Sequence, residues 1–147
     1  MYKRYAVLAL SGLLLSGCAR DAHLYPANDS ANTGGVLTAH FMDYGNGHGE
    51  IEIPMPSGEL LKGEYSLVRG GSVGFGSIYS SVYGKGGNAR MTETSTSYEV
   101  PGGSPGMASA FGDSGTSMQC EFYNDNFSNH GYGGCRSSAG ALYRIQY

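Results

Sequence analysis

Three cysteines, four histidines and a few acid and hydroxyl groups carry the reactive side chains of this 147-residue chain. Cys18 follows Leu15-Ser16-Gly17. Small residues just before a cysteine are what a lipoprotein signal peptidase needs to reach the scissile bond, so the chemistry expected at Cys18 is acylation of its thiol followed by cleavage. Assigning Cys18 to lipid leaves Cys120 and Cys135 as a pair. In an oxidising compartment the two would join as a disulfide. Zinc ligation, the alternative, lacks a close CxxC and a matching second pair.

Two other constellations invite chemistry. Gly112-Asp113-Ser114-Gly115 repeats the GDSG of trypsin-like proteases, and Leu37-Thr38-Ala39-His40 echoes their TAAH, which would make Ser114, His40 and Asp43 a triad. Such a site lies between two barrels that this length cannot supply, and Thr116, Ser117 and Met118 replace the residues that should follow GDSG. The expectation is a polar turn and no enzymatic activity. His48 and His130, with Asp43, Glu50 and Asp125 nearby in sequence, could be imagined around a metal. Each histidine follows a Gly or Asn turn, where imidazole ordinarily bonds loop backbone, and Asp125-Asn126 lacks EF-hand spacing. No metal and no cofactor are expected. The glycine series at Gly45, Gly47 and Gly49, or Gly71, Gly74 and Gly76, is not followed by a helix that could aim at a phosphate.

Elements that must position these groups begin with an export signal. Lys3 and Arg4 precede an apolar run, Ala6 to Leu15, which is too short for the roughly 20 residues of a membrane-spanning helix. Residues 1–17 therefore read as a lipoprotein signal peptide. Two or three acyl chains on one residue hold a protein on a membrane. Ala19 and Arg20 do not match the Asp that retains Gram-negative lipoproteins in the inner membrane, so the expected address is the periplasmic face of the outer membrane. Residues 18–34 are polar, carry Asn, Asp, Ser and Pro, and read as the lipidated N-terminus and a tether. Residues 35–147 are enough for one domain.

Without Lys3 and Arg4 the chain keeps seven basic against 12 acidic residues, a formal balance of −5. No basic cluster is present to neutralise phosphate backbones, so nucleic acid is not an expected partner.

Twenty-five glycines and short apolar stretches argue against helices and for strands. Strands are predicted at Val36 to Phe41, Gly49 to Ile53, Glu59 to Val68, Ser72 to Tyr83, Ala89 to Val100, Ser117 to Tyr123, Tyr132 to Arg136 and Ala141 to Tyr147. Alternation is clear in Glu50-Ile51-Glu52-Ile53. Seven or eight short antiparallel strands imply an all-β fold, a small sandwich or barrel. The chain also repeats: Gly47 to Tyr65 aligns without a gap on Asn129 to Tyr147, matching His48 to His130, Gly49 to Gly131, Gly58 to Gly140 and Tyr65 to Tyr147. Each copy reads as a β-hairpin whose turn needs positive φ at Gly58 or Gly140.

The stretches GELLKGEYSLVRGGSVGFGSIYSSVYG and TSMQCEFYNDNFSNHGYGGC resemble a group of short proteobacterial lipoproteins with no assigned function. That resemblance implies the class and compartment and transfers no site residues. Twelve tyrosines without a tryptophan suit half-buried strands, while Tyr44, Tyr123 and Tyr132, beside loops, join His48 and His130 as a surface for binding. The resulting expectation is an outer-membrane-anchored lipoprotein that binds or scaffolds an envelope protein or glycan. Its rivals are a periplasmic inhibitor of an attacking enzyme such as lysozyme, with a protruding loop, and a small hydrolase, with a nucleophile and base in reach.

Overall fold

The computed structural model describes residues 18–68, Ile78, Ser81, Val82 and 102–147. The expected signal peptide and the expected strand at Ala89 to Val100 lie outside the described residues. Eight antiparallel strands close into a barrel in chain order: β1 (Cys18–Pro26), β2 (Leu37–Asp43), β3 (His48–Pro54), β4 (Leu60–Leu67), β5 (Gly103–Phe111), β6 (Ser117–Asp125), β7 (Gly131–Ser137) and β8 (Leu142–Gln146). The barrel alternative, and not the sandwich, is realised.

Alternation determines which way each strand faces. On β3, Gly49, Ile51 and Ile53 are buried while His48 and Glu50 are exposed; on β4, Leu61 and Tyr65 are buried while Lys62 and Glu64 are exposed. Apolar side chains therefore fill the barrel and charged ones coat it, the reverse of a barrel whose outer face meets lipid. Leu24, Ile51, Ile53, Leu61, Met118 and Ile145 are the fully buried aliphatic centre. Cys120 and Cys135 face each other across β6 and β7, both inside, and are disulfide-bonded.

The tether expectation is corrected. Residues 18–26 are β1, which pairs with β2 from Cys18↔Asp43 to Leu24↔Leu37 and with β8 from His23↔Gln146 to Pro26↔Tyr143, so this segment closes the barrel. Its sequence hides this because a small barrel asks few apolar residues of each strand: only Ala22 and Leu24 are in the core. The same polar stretch then forms a short helix, α1 (Asp29–Asn32), capped by the Asn28 side chain, which accepts from the Ala31 N–H at 3.1 Å. Ala31 is buried in the core, and Asn28 also bonds the Gly140 carbonyl and the Leu142 N–H.

A second correction concerns Ser72 to Tyr83, expected as a strand: Ile78, Ser81 and Val82 are helical. Ile78 and Val82 both pack on the outer surface of the barrel over Gly134, where a Cβ would meet both of them. The Ile78 N–H donates to Glu121 Oε2 at 3.0 Å, and Arg136 donates to Ser81 Oγ at 2.8 Å. Strand β5 was not expected. Its inward residues Gly106, Ala108 and Ala110 are small because they sit opposite Phe122, Cys120 and Met118, so the strand carries little hydrophobic signal of its own.

The repeated segments are the hairpins β3–β4 and β7–β8, with Gly58 at φ 89° and Gly140 at φ 83°. Their turns share one pattern: Met55 N–H to the Glu59 carbonyl and Gly58 N–H to the Met55 carbonyl in one, Ser137 N–H to Ala141 and Gly140 N–H to Ser137 in the other. Two strands separate them either way around the eight-stranded ring, β5 and β6 on one side and β1 and β2 on the other, which places the copies on opposite walls.

Candidate functional site

Strand directions put Cys18, the β2–β3 turn, the β6–β7 turn and Tyr147 at one end of the barrel, and α1 and the three tight turns at the other. At the first end the barrel opens into a cavity of about 430 Å³. Its walls are built by the repeat. Gly49 lies opposite Tyr65, and Gly131 exchanges backbone hydrogen bonds with Tyr147 at 3.0 and 3.1 Å. A Cβ on Gly131 would fall 1.9 Å from the Tyr147 ring, and one on Gly49 would crowd Tyr65 at 2.7 Å. Each hairpin thus uses a glycine to let the ring of a cross-strand tyrosine lie over the mouth.

Phe41 and Phe122 stand between the tyrosines. Phe41 meets the Tyr65 and Phe122 rings edge to face at 5.1 and 5.9 Å, and Phe122 meets Tyr147 in the same manner at 6.0 Å. Above this aromatic wall sit polar groups. Arg20 lies over the Tyr147 ring at 5.5 Å and donates to the Asn129 carbonyl at 3.2 Å. Asp43 accepts from the Gly45 N–H at 2.7 Å and hydrogen-bonds Tyr65. Asn124, buried, accepts from the Tyr147 hydroxyl at 3.3 Å, and Asn46, Asn126 and Asn129 complete the rim.

Burial, together with the charge and hydrogen bond of Asp43, pushes the Tyr65 phenol up to about 12, against the opposing pull of Arg20. Burial also raises Tyr147, opposed by Arg20 and helped by Tyr65. Both phenols therefore stay neutral at physiological pH and act as hydroxyl donors and acceptors.

The residues singled out from sequence are distributed as follows. Cys18 is the first residue of β1, opposite Asp43. Tyr44 and His48 lie on the outer face, along a more open depression over β3, β4 and β5 that also includes Glu50, Glu64, Met107 and Phe111. A hydrogen bond to Glu50, with burial and charge adding to it, raises the Tyr44 phenol. Tyr123 and Tyr132 pair across β6 and β7 with rings 6.1 Å apart, and His130 bonds the Tyr147 carbonyl through Nδ1 at 3.2 Å. The two groups are on opposite walls and do not form the one surface expected. Among the described residues, no three His, Cys, Asp or Glu side chains converge as a metal site.

Ser114, His40 and Asp43 do not meet either. Ser114 is in the β5–β6 turn at the closed end, its N–H donating to Glu59 Oε1 at 2.8 Å. His40 points outward, bonded to Asp21 at 2.6 Å, and Asp43 lines the mouth at the other end. Sequence reasoning missed Arg20, Phe41, Tyr65, Phe122, Asn124 and Tyr147. The signal for two of them was present, since Gly49 with Tyr65 and Gly131 with Tyr147 are matched pairs of the repeat. Comparison with family models, curated proteins and solved structures gave no match for the chain.

Proposed function

We propose that this protein is an outer-membrane lipoprotein, anchored through Cys18 with its barrel in the periplasm, that binds a ligand and catalyses nothing. The observation that carries this reading is the mouth cavity: among the described residues the closed barrel is solid with side chains at one end and open at the other, amid aromatic rings and convergent polar groups. A volume of about 430 Å³ lies within the range of small-molecule sites, about 300–1,000 Å³. The hydrolase alternative loses support from the separation of Ser114, His40 and Asp43. The inhibitor alternative needs a protruding loop, which the described turns at 55–59, 112–116 and 137–141 do not supply, so its test belongs to the β6–β7 turn, where Phe127 is exposed.

The test is native mass spectrometry of the mature protein extracted from envelopes, beside Leu67→Trp, which places an indole in the mouth. A small molecule that accompanies the wild type and is lost from folded Leu67→Trp supports the reading. A folded Leu67→Trp protein that fully rescues a deletion strain overturns the mouth as the working site. Mass spectrometry of the wild-type N-terminus tests the anchor, and an unmodified residue there rejects it.

A further inference from the structure

We infer that the mouth cavity takes an uncharged, hydroxyl-rich ring, a saccharide unit, in preference to an acyl chain or a charged headgroup; this rests on the mouth being the binding site. Three features of the lining lead to it.

The first is the aromatic wall. Phe41, Phe122, Tyr65 and Tyr147 are held in mutual edge-to-face contact, so they present fixed ring surfaces and edges. The C–H face of a sugar ring is apolar with slightly positive hydrogens, and it lies well on the negative face of an aromatic ring.

The second is the chemistry of the rim. Asn46, Asn124, Asn126 and Asn129 supply four carboxamides among the 13 described lining residues. A carboxamide offers donors and acceptors together, as do the two neutral phenols. Sugar hydroxyls also donate and accept, so vicinal hydroxyls match this rim. Hydrocarbon would not: an acyl chain in the mouth would strip water from these groups and return no hydrogen bond.

The third is the charge balance. Among the described residues the lining holds one cation, Arg20, and one anion, Asp43, and both are engaged: Arg20 with the Tyr147 ring and the Asn129 carbonyl, Asp43 with the Gly45 N–H and Tyr65. A phosphate entering the mouth would approach Asp43, and an ammonium would approach Arg20. A neutral polar ligand meets neither repulsion and can share the hydrogen bonds of both.

The same chemistry can arrive as a free glycan fragment or as the sugar headgroup of a glycolipid, and the experiment separates the two. The mature lipoprotein, reconstituted in phosphatidylcholine vesicles, is titrated with oligomers of glucose, galactose and N-acetylglucosamine, while parallel vesicles carry a neutral glycosyl diacylglycerol. Phosphatidylglycerol and oleate serve as the charged-headgroup and acyl probes. Binding is read by NMR shifts of Tyr65, Tyr147 and the rim asparagines. The expected result is saturable binding to a sugar-bearing probe, in the soluble arm for a free glycan and only in the vesicle arm for a glycolipid. Asn124→Leu should weaken it about tenfold, the loss that one or two well-placed hydrogen bonds produce, and the more exposed Asn126→Leu, which leaves the buried rim intact, should act in the same direction. Mouth shifts with oleate or phosphatidylglycerol and none with any sugar would overturn the ligand class while leaving the mouth as the site. Binding that moves no mouth resonance, or no binding by any probe, would overturn both.

Discussion

A glycine opposite an aromatic residue is the unit from which the mouth is made. Gly131 and Tyr147 form one such pair, Gly49 and Tyr65 the second, and Gly106 facing Phe122 a third. Absence of a Cβ lets the ring fold back across the neighbouring strand, where its burial keeps the phenol protonated. This has a pH consequence. Below pH 10, the ordinary tyrosine value, folded and unfolded chains both hold these protons and the two phenols contribute no pH dependence. Above it the unfolded chain releases them first, so it binds fewer protons than the native state and stability falls as pH rises toward about 12, where Tyr65 ionises in the fold. Alkaline titration should therefore show phenolate absorbance that lags most for Tyr65 and Tyr147, beyond the smaller lag of Tyr44 and Tyr143, and that appears with loss of near-ultraviolet dichroism. In Gly131→Ala the new Cβ displaces the Tyr147 ring, and that phenol should move back toward the ordinary value. A folded wild type in which Tyr65 and Tyr147 themselves titrate at the ordinary value would show that the rings are not buried as described.

Among the elements, β1 and β5 show best where sequence was legible and where it was not. The strands β2, β3, β4, β6 and β8 announce themselves by alternation of apolar residues, while β7, whose inward positions are Gly131, Gly133, Cys135 and Ser137, is legible through Cys135 and the repeat, which foretold two hairpins with the same turn. Strand β1 offers only Ala22 and Leu24 to the core, opposite Ala39 and Leu37 of β2, and β5 offers Gly106, Ala108 and Ala110 because it faces the bulkier Phe122, Cys120 and Met118. The mouth was half legible: its tyrosines stood at equivalent places in the repeat, but Arg20 lay in what read as a tether, and Asn124 became a site residue only once β6 met β8 through Tyr147. If β1 is a closing strand, its single large core residue should matter greatly. Leu24→Ala, at a fully buried position, should cost about 2–5 kcal/mol in urea denaturation. A tether would show no change. Replacing Cys120 and Cys135 together by alanine should cost roughly 3 kcal/mol, because their 15-residue separation constrains the unfolded chain. Unchanged stability of that double variant would mean that the pair contributes little beyond packing.

At the scale of the whole molecule, Cys18 is the first residue of β1, so the lipidation proposed for it would fix an orientation. A flexible tether would let the domain turn freely above the bilayer, whereas Cys18 is already paired with Asp43 at the rim. With acyl chains on its thiol, the open end must face the membrane at close range and the closed end, with α1 and the turns at Ser57, Ser114 and Ser138, must face away. The cavity would then be filled from the bilayer surface or from the narrow space beside it, which agrees with a headgroup-like ligand. This can be measured with single cysteines placed at the two ends of the lipidated protein on vesicles: Ser128→Cys in the β6–β7 turn beside the mouth, and Ser57→Cys in the β3–β4 turn at the closed end. Both serines are exposed, so a bulky, membrane-impermeant maleimide should label them at similar rates in protein freed from the membrane. On vesicles the bilayer should slow labelling at Ser128→Cys several-fold and leave Ser57→Cys unchanged. Equal rates on vesicles would mean that the barrel stands off from the membrane, and the mouth would then have to draw its ligand from the periplasm.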